Sequence, residues 1–510
     1  MDRFSNDHLK KNLKKKAVRG AGTRLVSQAI LFSVRFTSGV TLARLLGVDD
    51  FGLVTMVAAI SMILLNVGAV GLGDATVQSD EITHERVSCL FWINFVVSAT
   101  VMLLFAAVSP IVAWFYGEPK LQPIAVGISL SFFFRGTSTQ HLALLRRNME
   151  FGKLSLNEIV AVVVSDVTAV VLALTGWGYW SLVARRVLSH FAANVGAWIL
   201  CDWRPGFYGM TESVKPLLHF GVNNSGSQLL YGLWKNLDKI LLGWKYNAYS
   251  LGAYNQGFQL FVMPFNQMVH PLGAVFVSTL SRLRDEEARY RRYYLRGISV
   301  LAFVGMGIGA VSTLMGEDLI VFVLGEKWRD AGPIFCGFAP GIGMMLVVST
   351  HGWIHQSLGR ADRLLRWSFV VVVVRIVLLL AGLPFGPLGV AIAFSGSFYL
   401  LLIPGSSYAG KTVGLTGMLV LATIWRYLLA AVISCGGLWY IFYVQFGVAV
   451  YDDCGMTSWL LLGSRLLLGS VLCLALYVGL VIALFRSTEP VTSVLSLVGE
   501  LVPKLRRRRR

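Results

Sequence analysis

Apolar runs of about 20 residues recur along most of the chain, separated by short polar or Pro- and Gly-containing loops. An α-helix of that length crosses ~30 Å of hydrocarbon, so the pattern predicts an all-α polytopic membrane protein. We place about 14 transmembrane helices at residues 24–46, 51–72, 87–114, 121–145, 156–175, 178–200, 217–244, 250–277, 294–324, 331–357, 364–382, 386–409, 418–446 and 459–485.

The end of the first predicted helix resembles the end of the seventh. "LARLLGVDDFGL" corresponds to "LDKILLGWKYNAYSLG", about 196 residues later, and each contains Leu-Leu-Gly followed by a short polar loop. Since both helices run outward from the cytoplasm, we expect helices 1–6 and 7–12 to form two parallel six-helix lobes, followed by two C-terminal helices. Chance similarity between two Leu-rich helices is the alternative interpretation.

This organisation predicts six segments of the chain. They are a basic cytoplasmic N-terminus (1–23), an N-lobe (24–200), a cytoplasmic inter-lobe linker (201–216), a C-lobe (217–410), helices 13 and 14 (411–485) and a polybasic cytoplasmic tail (486–510).

The charge distribution orients these helices. Hydrophobic residues make up 55% of the chain and charged residues 14%, yet the formal net charge is +18. About 30 Lys and Arg fall in the loops on the N-terminal side of the membrane and about 4 on the other, which predicts cytoplasmic N- and C-termini. We expect the tail "KLRRRRR" to contact anionic lipids rather than nucleic acid.

Motifs for metals, cofactors and nucleotides are weak or missing in the sequence. The six cysteines form no CxxC pair, which argues against a zinc site and a disulfide framework. His351 and His355 have metal-ligand spacing, but neither a third ligand nor a general-base Glu accompanies them. With no Walker motif in the chain, we expect neither a metal nor a cofactor, and no direct use of ATP.

Several arginines lie inside predicted helices, where a charge at the bilayer centre costs ~2.5–3.5 kcal/mol on insertion scales. Arg35 lies near the middle of the first helix, and Arg24 precedes it by 11 residues, which places both on nearly the same face. Arg465 lies near a helix end, from which its guanidinium reaches water by snorkelling. Intramembrane cations outnumber the anions, so mutual pairing cannot neutralise them all.

A shared, water-filled cavity would lower the free-energy cost of burying these charges, and its positive potential would attract an anion. Arginine suits a phosphate group in particular, because its planar guanidinium makes paired hydrogen bonds to phosphate oxygens. The predicted cavity residues are Arg24, Arg35, Arg135, Arg375, Arg186, Gln28, Asn224 and Gln228. The residues predicted to serve ion coupling or ion pairing are Asp166, Glu158, Asp238 and Lys235. The alternative is structural, with each arginine holding helices together through backbone carbonyls or one carboxylate.

Three stretches in particular resemble a known family. "RLVSQAILFSVRFTSGVTLARLLGVDDFGL" resembles its first helix and loop, "ALLRRNMEFGKLSLNEI" its signature after helix 4, and "NLDKILLGWKYNAYSLGAYNQG" its seventh helix. The family is that of the oligosaccharide flippases of the multidrug/oligosaccharidyl-lipid/polysaccharide exporter superfamily, in the exopolysaccharide or O-antigen branch. The resemblance covers about residues 10–410.

The resemblance implies two six-helix lobes and alternating access in the bacterial inner membrane. The implied substrate is a polyprenyl-pyrophosphate-linked oligosaccharide that moves from the cytoplasmic to the periplasmic leaflet, and the implied partners include the polymerase and export machinery. Cationic cavity residues on the first helix of the relatives map to Arg24 and Arg35.

Two other classes of function remain as alternatives. A multidrug or cation antiporter of the same superfamily would need acidic cavity residues, whereas the predicted cavity is cationic. A polysaccharide polymerase or ligase would be an enzyme with a long outer loop bearing arginines, whereas the predicted outer loops are short. The sequence therefore favours a transporter over an enzyme.

Overall fold

The computed structural model describes residues 13–68, 71–79, 82–208, 235–445 and 456–487, together with Gly232 and Thr492. Every regular element within these ranges is a helix, which confirms the predicted all-α class. The chain divides into two compact units, Met1–Gly252 and Ala253–Arg510.

The described helices of the first unit are numbered here in chain order. They are α1 (Leu13–Leu45), α2 (Val48–Gly68), α3 (Leu72–Gln78), α4 (His84–Tyr116), α5 (Leu121–Arg147), α6 (Phe151–Leu174), α7 (Tyr179–Leu200) and α8 (235–245). α4 packs on α5, α6 on α7, α5 on α7, and α1 along α6. The last contact matters most here, because it brings the cations of α1 beside the carboxylates of α6.

Local chemistry sets several of these boundaries. The side chain of Thr83 accepts a hydrogen bond from the Arg86 amide and caps α4, and Gly117, at φ 68°, ends it in the left-handed conformation. Close packing of α4 on α5 requires glycine at position 136, because a Cβ there would lie 2.3 Å from the side chain of Ser98.

The short helix α3 is held by a buried guanidinium. Arg147, at the end of α5, donates from Nη1 to the carbonyl oxygens of Thr76 (3.1 Å), Val77 (3.4 Å) and Ser79 (2.5 Å). The last carbonyls of a helix have no partner within it, so Arg147 supplies donors that α3 cannot provide itself. This use of an arginine is structural.

The segment 201–216, predicted as the inter-lobe linker, is described as far as Tyr208. Its first part lies against α4, where the indole Nε1 of Trp203 donates to Nδ1 of His84 at 3.0 Å. Trp203 is buried, so this end of the segment belongs to the packed surface of the first unit. The remainder of the segment lies outside the described residues.

The second unit contains α9 to α17. The first residues of α9 still belong to the first unit, which ends at Gly252. They are α9 (Ala248–Arg282), α10 (Glu287–Leu324), α11 (Ala331–Phe338), α12 (Gly341–Ser349), α13 (His351–Ser357), α14 (Ala361–Gly382), α15 (Gly386–Gly410), α16 (Gly417–Trp439) and α17 (Met456–Phe485). Short 3₁₀ turns lie at Glu326–Trp328, Leu383–Phe385 and Lys411–Val413, and a π-helical turn at Tyr440–Gln445.

The predicted helix 331–357 is not one continuous helix, which corrects the sequence interpretation. It consists of α11, α12 and α13, and Ala331–Phe338 is bent by 46° from Gly341–Ser357. Pro340 lies at the bend, where it has no amide hydrogen to donate and cannot continue the helix. Its carbonyl oxygen accepts a hydrogen bond of 2.7 Å from the hydroxyl of Tyr399 on α15.

The helices are long and apolar enough for a multi-pass membrane protein. Among the described residues, eight helical stretches qualify as membrane spans by length and hydropathy, or nine if the bent pair counts as one. One of the eight, Asp362–Val413, contains both α14 and α15. α5, α7 and α9 are more polar and lie outside this set, so the number of about 14 spans stays a prediction.

Candidate functional site

The two arginines predicted on the first helix converge on one carboxylate. Nη1 of Arg24 lies 3.5 Å from Oε2 of Glu158, and Nη2 of Arg35 lies 3.5 Å from Oε1 of the same residue. Glu158 is on α6, so its position follows from the packing of α1 along α6. Two permanent cations thus share one anion, and this group carries an excess of one positive charge.

The group is accessible rather than sealed. The side chains of Arg24 and Arg35 are 51% and 53% exposed, and that of Glu158 is 32% exposed. Gln28, one helical turn after Arg24, is exposed as well. These polar groups lie among apolar neighbours on α1, including Val26. The surface can therefore receive an anion that binds two guanidinium groups at once.

A second polar contact, closer to the end of α1, has a different character. The carboxylate of Asp166 on α6 accepts from Nε of Arg185 on α7 at 2.6 Å and from the hydroxyl of Ser38 on α1 at 2.6 Å. Nη2 of Arg185 also donates to that hydroxyl at 3.2 Å. Asp166 is buried, and its hydrogen bonds join three helices. This triad has the geometry of a structural ion pair.

Two further predicted cations lie together in the first unit. Arg135 on α5 is close enough to Arg186 on α7 for the two charges to repel each other. Both charges also lie within electrostatic range of His190. Within the described part of the chain, neither arginine forms an ion pair with a carboxylate, and Nε of Arg186 has no hydrogen-bond partner. Lys239 on α8 also lies within electrostatic range of Arg186. The first unit therefore has a second concentration of positive charge.

Other predicted site residues have separate surroundings. Arg375, on α14 of the second unit, places its guanidinium 5.2 Å from the ring centre of Phe394 and 4.9 Å from that of Phe398 on α15. These distances are typical of cation–π contacts.

On α8, Asp238 is buried and Lys235 is exposed. Asn224 and Gln228 lie outside the described residues. Among the predicted site residues, those that the structure brings together around one carboxylate are Arg24, Arg35 and Glu158.

Sequence reasoning missed two ion-pairing residues. The sequence "ARR" in α7 contains Arg185 and Arg186. The predicted site includes Arg186, but it is Arg185 that contacts Asp166. The prediction that Arg465 snorkels to water is also wrong. Its Nε lies 3.0 Å from Oδ2 of Asp318 on α10, and both side chains are largely buried. The acidic pair Glu317-Asp318 in the apolar run "LMGEDLIVFVL" is the sequence signal for this contact.

Comparison with known proteins identifies relatives that match more than half of the chain. The chain is 23% identical over 329 residues to the lipopolysaccharide biosynthesis protein WzxC of Escherichia coli strain K12, covering 63% of this chain and 66% of that protein. It is 26% identical over 302 residues to the teichuronic acid biosynthesis protein TuaB of Bacillus subtilis strain 168, covering 58% and 62%. The chain thus spans a little under two thirds of the length of these two relatives.

Solved structures share the fold. A structure of the lipid II flippase MurJ in an inward closed conformation aligns with a TM-score of 0.70 at 12% identity, covering 92% of this chain and 99% of that one. An inward-facing multidrug resistance MATE family transporter of the MOP superfamily aligns with a TM-score of 0.60 at 13% identity, covering 76% and 98%. These likenesses confirm the all-helical fold.

The match to a known sequence family covers more than half of the chain. The polysaccharide biosynthesis protein family matches residues 41–333 of the 510, a region that includes Glu158, Asp166 and the arginines of α5 and α7. This chain therefore belongs to the polysaccharide biosynthesis protein family.

Proposed function

We propose that the protein is a transporter that flips a polyprenyl-pyrophosphate-linked oligosaccharide from the cytoplasmic to the periplasmic leaflet of the bacterial inner membrane. The oligosaccharide would be the repeat unit of an exopolysaccharide or O-antigen. Three findings support this assignment: family membership, relatives named for lipopolysaccharide and teichuronic acid biosynthesis, and a fold shared with a lipid II flippase.

The observation that carries the proposal is the excess of positive charge on α1. Arg24 and Arg35 share the single carboxylate of Glu158 at 3.5 Å and stay half-exposed, so they retain capacity for a further anion. A pyrophosphate brings about two negative charges and several oxygens, and guanidinium groups bind such oxygens through paired hydrogen bonds. The arginines would hold the headgroup while the lipid tail stays in the bilayer.

Charge also separates this proposal from the alternatives. The fold is shared with a multidrug transporter, so the fold by itself does not choose between an oligosaccharide and a cationic drug. A drug cation would need an excess of carboxylates, whereas Arg135 and Arg186 add to the positive charge of the first unit. A polymerase or ligase would need an outer catalytic module, and the described connections between helices are short.

The membrane potential would then drive the cycle. A negative-inside potential favours outward movement of an anion by ~2.3 kcal/mol per charge per 100 mV, and it draws an empty cationic site back toward the cytoplasm. No coupled ion is needed in this scheme. Reconstituted protein is expected to show no net flipping against a substrate gradient at zero potential, and undiminished flipping there would contradict the scheme.

The test of the function is a gene deletion followed by mass spectrometry of the lipid fraction. Loss of the transporter should leave a lipid-linked oligosaccharide in the cytoplasmic leaflet and abolish its appearance in the surface polysaccharide. Normal export in the deletion strain, or accumulation of no lipid-linked glycan, would refute the assignment. Contacts of the polybasic tail with anionic lipids, and of the protein with the polymerase and export machinery, stay predictions.

A charge series then tests the site. Arg→Gln substitutions at Arg24 and Arg35 are each expected to reduce export about tenfold or more, as the loss of one charge-assisted contact of ~1.5–3 kcal/mol implies. The same substitution at Arg135 and at Arg375 tests whether the other predicted cations also bind the headgroup. The matched control is Arg284→Gln, because Arg284 is an exposed cation that follows the end of α9. Normal export by all four variants would refute the site and leave the function to be explained by other residues.

A further inference from the structure

We propose that Glu158 is an internal stand-in for the anionic headgroup. Its carboxylate bridges Arg24 and Arg35 until a pyrophosphate displaces it. The inference rests on the proposed function, because it assumes that an anionic lipid headgroup is the ligand. It adds a role for Glu158 that differs both from ion coupling and from a permanent ion pair.

The geometry of the two arginines supports a bridging ligand. Eleven residues separate them on one helix, so their Cα atoms lie about 16 Å apart along its axis. Their guanidinium groups nevertheless both reach Glu158, with one oxygen facing each arginine at 3.5 Å. The two side chains thus extend toward each other. An anion with oxygens directed to both sides fits between them, and a pyrophosphate is larger than a carboxylate and has more such oxygens.

Weak pairing makes the carboxylate exchangeable. A strong charge-assisted hydrogen bond between nitrogen and oxygen measures about 2.7–2.9 Å, whereas both Glu158 contacts measure 3.5 Å. In the water-filled cavity that the proposed function requires, exposed pairs of this kind contribute ~0–1 kcal/mol, because water competes for both partners. The pair of Asp166 with Arg185 is the contrast on the same helix, since it is 2.6 Å long and its carboxylate is buried. We therefore assign exchange to Glu158 and a fixed structural role to Asp166.

Displacement gives the carboxylate a second use. Once a pyrophosphate occupies the arginines, the freed Glu158 lies beside it as a like charge and opposes tight retention. A carrier needs such a limit, because a headgroup that binds too strongly leaves too slowly. The carboxylate would therefore lower affinity and raise turnover at the same time, which is an effect that a merely structural residue would not produce.

Binding of inorganic pyrophosphate to the purified full-length protein in nanodiscs tests the first half. Glu158→Gln removes the competing charge and is expected to tighten pyrophosphate binding about 3–5-fold, the change that an ion pair of up to ~1 kcal/mol corresponds to. The matched control is Glu150→Gln, which removes the same charge from a carboxylate that pairs with Lys153 at 2.7 Å at the start of the same helix. We expect its affinity to equal that of the wild type.

Export in cells tests the second half. Glu158→Gln is expected to lower the export rate while its pyrophosphate affinity rises, and Glu158→Asp, with a shorter side chain, is expected to fall between Gln and the wild type in both measurements. The Asp variant also keeps the test open if the Gln variant does not fold. Affinity of Glu158→Gln equal to or weaker than that of the wild type overturns the inference.

The two levels of proposal fail in different ways. If wild-type protein binds pyrophosphate and Arg24→Gln weakens that binding, the anion site of the proposed function stands whatever Glu158 does. If wild-type protein binds no pyrophosphate at physiological salt, the anion site and this inference both fail. If binding responds as expected but the deletion strain exports polysaccharide normally, the exchange role stands and the assigned substrate is wrong.

Discussion

Replacing Asp166 with asparagine should destabilise the first unit, because Asp166 holds three helices together. The substitution removes the charge that faces Nε of Arg185 at 2.6 Å, and it turns one of the two accepting oxygens into a donor. The hydroxyl of Ser38, which donates to the other oxygen at 2.6 Å, then meets an amide group instead of a carboxylate. Arg185 is left with a permanent charge and a neutral partner.

The size of the effect follows from burial. Breaking a fully buried pair by removing one partner costs ~3–5 kcal/mol, and a hydrogen bond to a charged group is worth ~1.5–3 kcal/mol. The Asp166 side chain is 5% exposed, but that of Arg185 is 27% exposed and retains some contact with its surroundings. We therefore expect a loss of about 2–4 kcal/mol, somewhat less than for a fully buried pair.

The assay is thermal unfolding of the purified protein in detergent, followed by intrinsic fluorescence, for Asp166→Asn, Arg185→Gln and the double variant. The double variant should be less destabilised than the sum of the single ones, since it leaves no unpaired charge. Asp74→Asn is the control, because Asp74 forms an exposed pair with Arg146 at 3.9 Å and should change stability little. Equal unfolding temperatures for Asp166→Asn and Asp74→Asn would refute the reasoning, as would strict additivity in the double variant.

Two further predictions concern packing in each unit. Gly136→Ala should destabilise the first unit by about 1–3 kcal/mol, because the new Cβ would lie 2.3 Å from Ser98. Gly396→Ala should be neutral or slightly stabilising, because nothing lies within 4 Å of a Cβ at that position. Equal unfolding temperatures for these two variants would contradict the packing argument. Arg465→Gln should lower the unfolding temperature more than Arg465→Gln combined with Asp318→Asn, because the single variant leaves a buried carboxylate unpaired; an equal or larger loss in the combined variant would contradict the buried pair.

Residues close in sequence or on one helix face were the most predictable part of the site. Helical geometry placed Arg24 and Arg35 on one face, and the structure brings both to Glu158. Adjacent residues are harder, since they point about 100° apart on a helix and only the packing decides between Arg185 and Arg186. The apolar length of the runs predicted the helices themselves, because that signal is local.

Long-range pairings and helix breaks were less predictable. Asp318 and Arg465 lie 147 residues apart in sequence, and no local pattern links them. The bend at Pro340 had a local signal, since proline cannot donate to the helix ladder, but the apolar run around it continued without a break. Composition favours a continuous helix there, and the backbone hydrogen bonds decide otherwise.

The bend at Pro340 has a mechanical consequence. A straight helix resists flexing because every turn is tied to the next by backbone hydrogen bonds, and this joint already lacks one of them. Ala331–Phe338 and Gly341–Ser357 should therefore move as two rigid segments about a hinge at Pro340. The hydrogen bond from the Tyr399 hydroxyl to the Pro340 carbonyl would hold this hinge in place until it breaks. A change in the angle between the two segments would break few backbone hydrogen bonds. Conformational change in the second unit should therefore be concentrated at this hinge rather than spread along the longer helices.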